Sequence, residues 1–346
     1  MRILLFSFLT LFAAGLLAQN ERGTWFLDAN TQFTDQFNDE GIGLFSGSAG
    51  YFVRDGLLVG ARSTVSYSRA RFTAESVLLG PFVRYYLPFN WGVRVYGEAG
   101  IDVDLRGEEN NTLSVFGGIG LERELAPQLL ANARLEYSPG NPFGFSTWRL
   151  QAGLTGRLGG PVGETATGNY GQQGSLLFNG FLNLEHWKRS SPIRFTLAEI
   201  NAAANFFVSD QLMLNGNFYA GTSHINFGTL DSNPREFLLN STRVGVNLGL
   251  SYLFDHTGRF RYYAGAEIDY NLLNSKQESS NALGPISTQN DMATEVRAVV
   301  KGGILYQLTN SLVVDAKLGL THPFGAGQNL IVPVMEARIL ASLWNN

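Results

Sequence analysis

The chain has 346 residues, of which 45% are hydrophobic, 12% aromatic and 16% charged. Soluble domains carry about 25% charged residues, so this composition indicates that much of the surface does not face water. The formal net charge of −4 and the lack of a basic block argue against a nucleic-acid binder. Because the sequence contains no cysteine, disulfides, thiolate metal sites and a thiol nucleophile are excluded.

The first twenty residues predict export. Arg2 precedes an apolar run from Ile3 to Leu17, and the run ends in Ala18-Gln19-Asn20. A charged start, an apolar core and a small-residue exit are typical of a secretory signal peptide, whose cleavage we place after residue 18. No later stretch of 18 apolar residues predicts a transmembrane helix. An exported chain of this composition can still enter a bilayer as a closed β-barrel.

Beyond the signal peptide, hydrophobicity alternates with a period of two. Apolar residues occupy every second position from Val93 to Val103, with polar residues such as Arg94 and Glu98 between them. Alternation over about ten residues is typical of a membrane-spanning strand. Eight strands are predicted before residue 158, and they begin near Trp25, Leu44, Leu57, Val77, Trp91, Leu113, Leu129 and Thr147. The sequence therefore predicts an all-β fold, a transmembrane antiparallel up-and-down β-barrel.

The second half of the chain repeats the first. Residues 52–57, FVRDGL, recur as residues 207–212, FVSDQL, and Gly117-Gly118-Ile119 recurs as Gly302-Gly303-Ile304. A Gly-rich polar stretch separates the two copies. We therefore predict a duplicated eight-strand unit. The predicted boundaries are 1–18 for the signal peptide, 19–158 for the first repeat, 159–174 for the linker and 175–346 for the second repeat.

The segment from Gly50 to Gly60, GYFVRDGLLVG, and the strand from Tyr96 to Asp102 resemble a known family. They are similar to the small outer-membrane β-barrel domain of Bacteroidetes-type porin-like and OmpA/OmpX-like proteins, here in two tandem copies. The resemblance implies location in a bacterial outer membrane. We also expect contact with outer-membrane lipid, lipopolysaccharide and the barrel-assembly machinery, and we predict no cofactor. The resemblance identifies no surface partner.

Sixteen strands can close as two filled eight-stranded barrels or as one sixteen-stranded pore. The inward positions of the first repeat carry bulky apolar residues beside glycines, and both repeats balance inward cations against inward carboxylates. Paired charges suit a dry interior, so we favour two eight-stranded barrels over the sixteen-stranded alternative. The first repeat places Arg62, Arg84, Arg94, Arg134, Arg149 and Arg157 against Asp28, Glu98, Asp102, Asp104, Glu122 and Glu136. The second places Arg243, Arg261, Arg297, Lys301, Lys317 and Arg338 against Glu185, Glu199, Glu267, Asp269, Asp315 and Glu336.

Within these sets we predict an interior charge network with a structural role. Its members are Arg62, Arg84, Arg94, Glu98, Asp102, Arg134, Glu136, Arg243, Arg261, Glu267, Asp269 and Lys317. No catalytic, cofactor or metal site is predicted, because the sequence carries none of the usual enzyme motifs. Ser223-His224 with Asp231 combines catalytic residue types, but adjacent residues of a strand point to opposite faces.

The sequence therefore predicts a non-enzymatic outer-membrane protein with a structural or surface-interaction role. One alternative is a porin that passes small polar solutes through a single sixteen-stranded pore. A soluble periplasmic β-sandwich is a further alternative, which predicts release from cells without detergent.

Overall fold

A computed structural model describes most of the chain outside the N-terminus and several loops. The described residues are 22–28, 42–68, 73–88, 92–105, 113–126, 128–140, 145–158, 170–189, 193–227, 235–254, 258–281, 284–324 and 331–343. The predicted signal peptide and Asp231 lie outside them. The chain divides into two compact units, with residues 1–143 and 154–164 in unit 1 and residues 144–153 and 165–346 in unit 2.

The first eight strands form a closed antiparallel barrel. They are β1 Trp25–Asp28, β2 Ile42–Arg54, β3 Leu57–Ser68, β4 Thr73–Tyr86, β5 Arg94–Asp104, β6 Leu113–Ala126, β7 Leu129–Ser138 and β8 Phe145–Leu158. Consecutive strands are neighbours in the sheet. The end of β8 returns to β1, where Trp25 pairs with Leu158 and Asp28 with Thr155. The predicted all-β class, antiparallel order and eight-strand closure are therefore confirmed.

Eight further strands belong to unit 2. They are β9 Leu176–Arg189, β10 Ile193–Ser209, β11 Leu212–Phe227, β12 Arg235–Leu253, β13 Phe260–Asn281, β14 Gly284–Thr309, β15 Leu312–Phe324 and β16 Val332–Leu343. Strand β9 pairs with β10 along one edge and divides its other edge between two partners. Leu176–Phe178 pair with β16, and Leu182–Arg189 pair with Phe145–Ala152 of β8. The sequence did not predict the ladder between β8 and β9.

A β-bulge occurs at the same place in each copy of the repeated FVxDxL segment. In unit 1 the register shifts between Phe52 and Arg54. In unit 2 it shifts between Phe207 and Ser209. A bulge adds one residue to one strand and increases the local twist. The two segments therefore share this irregularity as well as part of their sequence.

Side chains alternate between the inside and the outside of each sheet. In unit 1 the interior holds a buried apolar cluster of Phe26, Phe52, Leu58, Phe82, Tyr86, Tyr96 and Phe116. In unit 2 the corresponding cluster consists of Tyr170, Leu177, Phe207, Met213, Leu253, Tyr263, Leu305, Val313 and Leu340. The described residues contain no helix long and apolar enough to cross a membrane.

The outer surface carries large apolar side chains that are exposed. Ile119 of unit 1 is 65% exposed, and Leu248 and Val300 of unit 2 are 65% and 66% exposed. Inward positions include buried charged groups such as Arg84 of β4 and Lys301 of β14. Large apolar side chains exposed to this extent are unusual in a soluble protein, whose exposed apolar patches are small.

Candidate functional site

The interior charge network of unit 1 is the candidate site, and Arg84 lies at its centre. This side chain points inward from β4 and is completely buried. Its Nε donates to Glu98 Oε2 at 2.8 Å, and its Nη1 donates to Glu122 Oε1 at 2.9 Å. The guanidinium carbon also lies 4.0 Å from the centre of the Tyr96 ring. One buried cation is thus held by two carboxylates and an aromatic face.

Glu122 of β6 connects the centre of the network to its edge. Its Oε1 accepts a hydrogen bond from the Tyr86 hydroxyl at 2.9 Å. Its Oε2 lies 3.6 Å from Arg94 Nη2 and 3.7 Å from Arg157 Nη2. With Arg84 on its other oxygen, this carboxylate faces three guanidinium groups, which offsets the cost of burying its charge.

A second group of ion pairs lies around Arg62 of β3. Its Nε donates to Asp102 Oδ1 at 2.8 Å, and its Nη1 lies 2.6 Å from Glu136 Oε2. The guanidinium carbon is 3.4 Å from the centre of the Phe116 ring. Arg134 extends the Arg84 group, because its Nη1 lies 3.5 Å from Glu98 Oε1 and 4.0 Å from Asp28 Oδ2.

Unit 2 carries its own interior network. Glu267 of β13 contacts Lys301 and lies 4.0 Å from Lys317 Nζ, and Lys317 is 2.7 Å from Glu336 Oε2. Arg338 then joins Glu336 at 3.2 Å to Asp315 at 3.3 Å. This chain of alternating charges crosses four strands, β13 to β16.

The remaining predicted members of unit 2 lie elsewhere in its interior. Arg261 is buried, donates to the Gly171 carbonyl at 3.1 Å and stacks over Tyr170. Arg243 lies over the Tyr219 ring, 5.1 Å from its centre. Asp269 accepts a hydrogen bond from Asn247, which also donates to Glu267 at 2.8 Å. The structure thus divides these residues among separate contacts.

The site consists of paired charges packed beside apolar side chains. In unit 1 each of the carboxylates described above is engaged by arginine, and the apolar cluster lies beside them. Among the described residues no group of three His, Asp or Glu side chains is placed to hold a metal ion. Strand β11 continues to Phe227, so Ser223 and His224 point to opposite faces, and His224 contacts the Asn240 amide oxygen instead.

Comparison with known proteins gives only distant likenesses. No protein-family model matches the chain, and no curated protein matches it. A bacterial polysaccharide outer membrane secretin is 9% identical with a TM-score of 0.41, covering 94% of this chain and 97% of that one. A loop L8 deletion mutant of OmpT, an outer membrane protein of Vibrio cholerae, is 13% identical with a TM-score of 0.36, covering 92% and 95%. Identities and TM-scores this low do not establish a shared family, and the resemblance to Bacteroidetes-type or OmpA/OmpX-like domains stays a prediction.

Two important interior residues were not part of the predicted network. Glu122 was assigned to the interior by alternation, but its role as the shared acceptor depends on cross-strand register, which alternation alone does not give. Tyr170 falls in the predicted linker, yet it is fully buried and its hydroxyl donates to the Leu305 carbonyl at 2.9 Å. A lone aromatic residue in a polar Gly-rich stretch was the signal that could have identified it.

Proposed function

We propose that this chain is an integral protein of a bacterial outer membrane, with its barrels embedded in lipid and no catalytic role. The exposed apolar outer face is the observation that supports this proposal most directly. Leu248, Ile268 and Val300 are 60–66% exposed on the outside of unit 2. In water such a surface would promote aggregation, whereas in hydrocarbon it is the stable arrangement.

The orientation follows from the connections between strands. Strands β10 and β11 join through Asp210-Gln211, and β14 and β15 join through Asn310-Ser311. At the opposite end β13 and β14 extend to 22 and 26 residues. Outer-membrane barrels have short periplasmic turns and longer extracellular elements. The short turns therefore face the periplasm in this proposal.

The two units arose by duplication of one eight-strand ancestor. The equivalent β-bulges at Phe52 and Phe207 support this inference beyond the sequence repeat. Cross-strand contacts support it as well, since Tyr96 lies opposite Gly120 in unit 1 and Tyr263 lies opposite Gly303 in unit 2.

Within the membrane the barrels act as closed scaffolds that present their extracellular ends. The dense ion pairs around Arg84 and the buried apolar clusters support closure over conduction, because a water-filled lumen would hydrate these groups. The role is thus structural or one of surface interaction, and the export signal over residues 1–18 delivers the chain to the envelope.

Fractionation and folding assays test this proposal. The mature protein should stay in the outer-membrane fraction after carbonate washing and dissolve only in detergent. Refolded into lipid vesicles, it should give a β-type circular dichroism spectrum and migrate differently on gels before and after boiling. Release of the folded protein by osmotic shock would instead support a soluble β-sandwich.

A further inference from the structure

The outer face of unit 2 carries a group of cationic and protonatable side chains, which we call the outer basic patch. It consists of Lys188 and His186 on β9, Arg194 on β10 and His224 on β11. All four side chains are exposed. Lys188 lies directly opposite Arg194 in the ladder, and Thr196 lies between His186 and His224. The patch is therefore one contiguous surface across three strands.

The patch begins where the apolar band of unit 2 ends. On β9 the outward residues before His186 are Leu182 and Leu184, and on β11 Ala220 and Thr222 precede His224. On β12 the outward apolar residues run from Tyr252 to Val244. The eight residue steps from Tyr252 to Val244 span about 26 Å of strand. At a strand tilt of about 40°, this apolar band is about 20 Å high along the membrane normal. The patch thus lies at the level of the lipid headgroups.

The patch lies at the headgroup layer of the extracellular leaflet. The patch lies at the end of β10 and β11 opposite the short turn at Asp210-Gln211. This placement depends on the orientation argued under the proposed function, on which the inference rests.

The positive charge of the patch favours binding of an anion. Two like charges that lie directly opposite on neighbouring strands repel each other. Among the described side chains no carboxylate forms an ion pair with Lys188 or Arg194. Glu278 lies in the same ladder row as Arg194, but it is three strands away on β13 and its carboxylate is paired with Lys276. It therefore does not neutralise the patch.

We propose that the outer basic patch binds a phosphate group of an outer-leaflet glycolipid. Lys188 and Arg194 donate charge-assisted hydrogen bonds to the phosphate oxygens. In the row below, His186 Nδ1 is hydrogen-bonded to Thr196 Oγ1 at 2.9 Å and His224 contacts Asn240. The acyl chains of the same lipid then cover the apolar side chains next to the patch, including Leu184 and Ile200. A free phosphate ion lacks this second contact, so a lipid is the occupant that fits both halves of the surface.

Binding of diphosphoryl lipid A to the full mature protein tests the proposal. The protein is refolded into detergent micelles, and retained lipid is counted by native mass spectrometry. We expect the Lys188→Gln/Arg194→Gln variant to bind about tenfold more weakly than the wild type. The matched control, Arg123→Gln/Arg259→Gln, removes the same charge from exposed positions away from the patch and should bind as the wild type does.

Two further arms identify the chemistry that is recognised. Dephosphorylated lipid A should bind the wild type as weakly as diphosphoryl lipid A binds the Lys188/Arg194 variant, and inorganic phosphate should displace little lipid. Equal binding of diphosphoryl lipid A by the wild type and that variant would refute the inference. So would equal binding of both lipid forms, or full displacement by inorganic phosphate.

The same samples separate this inference from the proposed function. Each variant is checked for insertion into vesicles and for heat-modifiable migration. A wild-type protein that fails to insert overturns the proposed function and this inference together. A protein that inserts normally but binds lipid A independently of the patch overturns this inference alone.

Discussion

At the scale of single residues, buried charges determine which side chains can be exchanged. Arg84 is completely buried, and two carboxylates, Glu98 and Glu122, direct their oxygens at it. Replacing a buried ion pair as a whole can be neutral, whereas removing one partner leaves an uncompensated charge. The network therefore tolerates change only when its charges change together.

Arg84→Met should destabilise the protein strongly. Removing the cation leaves Glu98 and Glu122 close together in a dry interior, at a cost of about 3–5 kcal/mol. The measurement is the urea midpoint of the vesicle-inserted protein, read from heat-modifiable migration. Arg123→Met, at an exposed outward position of β6, is the control and should leave the midpoint unchanged.

The double variant Arg84→Met/Glu98→Gln distinguishes charge from packing. We expect it to recover part of the lost stability, because it removes one cation and one carboxylate together and leaves Glu122 beside Arg94 and Arg157. If the double variant were less stable than Arg84→Met, the destabilisation would come from lost packing rather than lost charge balance.

Tyr170 is a second residue whose effect can be isolated. Its hydroxyl hydrogen is shared between two acceptors, the carbonyls of Leu305 at 2.9 Å and Arg259 at 3.1 Å. Tyr170→Phe removes this shared hydrogen bond and should lower stability by about 1–3 kcal/mol in the same urea assay. Tyr262→Phe, on an outward and 52% exposed ring, should have no effect. Equal midpoints for the two variants would mean that Tyr170 acts through its ring alone.

At the scale of strands, glycines allow aromatic rings to cross from one strand to the next. Gly120 of β6 lies opposite Tyr96 of β5, and a Cβ atom built there would lie 2.2 Å from Tyr96 Cζ. Gly303 has the same relation to Tyr263, at 2.5 Å. The ring occupies the space that a side chain would fill, so each pair fixes the register of its strands.

Gly120→Ala should therefore weaken the contact between β5 and β6. The methyl group overlaps the Tyr96 ring, which must move, and overpacking of this kind costs about 1–3 kcal/mol. Gly97→Ala is the matched control on the outer face of β5, where an added Cβ meets no atom within 4 Å. Hydrogen exchange of the β5 and β6 amides should rise in the first variant only.

A compensating change provides a stricter test of the same contact. Replacing the ring with a smaller side chain in Tyr96→Leu should recover part of the stability lost in Gly120→Ala, because the two sites are coupled. If the stability losses of the two single variants simply added in the double variant, the methyl group at residue 120 would be accommodated without movement of the Tyr96 ring.

At the scale of the whole molecule, the sequence predicts what depends on local pattern. Period-two alternation predicted the strands and the inward positions of Arg84, Glu98 and Tyr96. It fails at Leu129, which alternation groups with the outward Ala131 but which is fully buried. The register shifts between Glu124 and Ala126, and Gln128 adopts a φ of 68°, so the start of β7 turns inward.

The pairing of strands that are distant in sequence was the feature least predictable from the sequence. The ladder between Phe145–Ala152 and Leu182–Arg189 connects segments on either side of the predicted linker. The hydrophobic period determines which face of a strand is buried, but it does not determine which other strand pairs with each of its edges. Likewise, the burial of Tyr170 depends on an apolar cluster that only the assembled strands of unit 2 bring together.

The packed interiors lead to a prediction about conduction. In unit 1 the inward side chains of Phe26, Phe52 and Leu58 are 0% exposed, and in unit 2 those of Tyr170, Leu177 and Met213 are also 0% exposed. An eight-stranded barrel leaves an interior that side chains fill. The purified protein in planar bilayers should therefore give no stable porin-sized openings. A sixteen-stranded porin prepared in the same way is the positive control. Stable openings of the same size from this protein would contradict the filled interiors and support the alternative of solute passage.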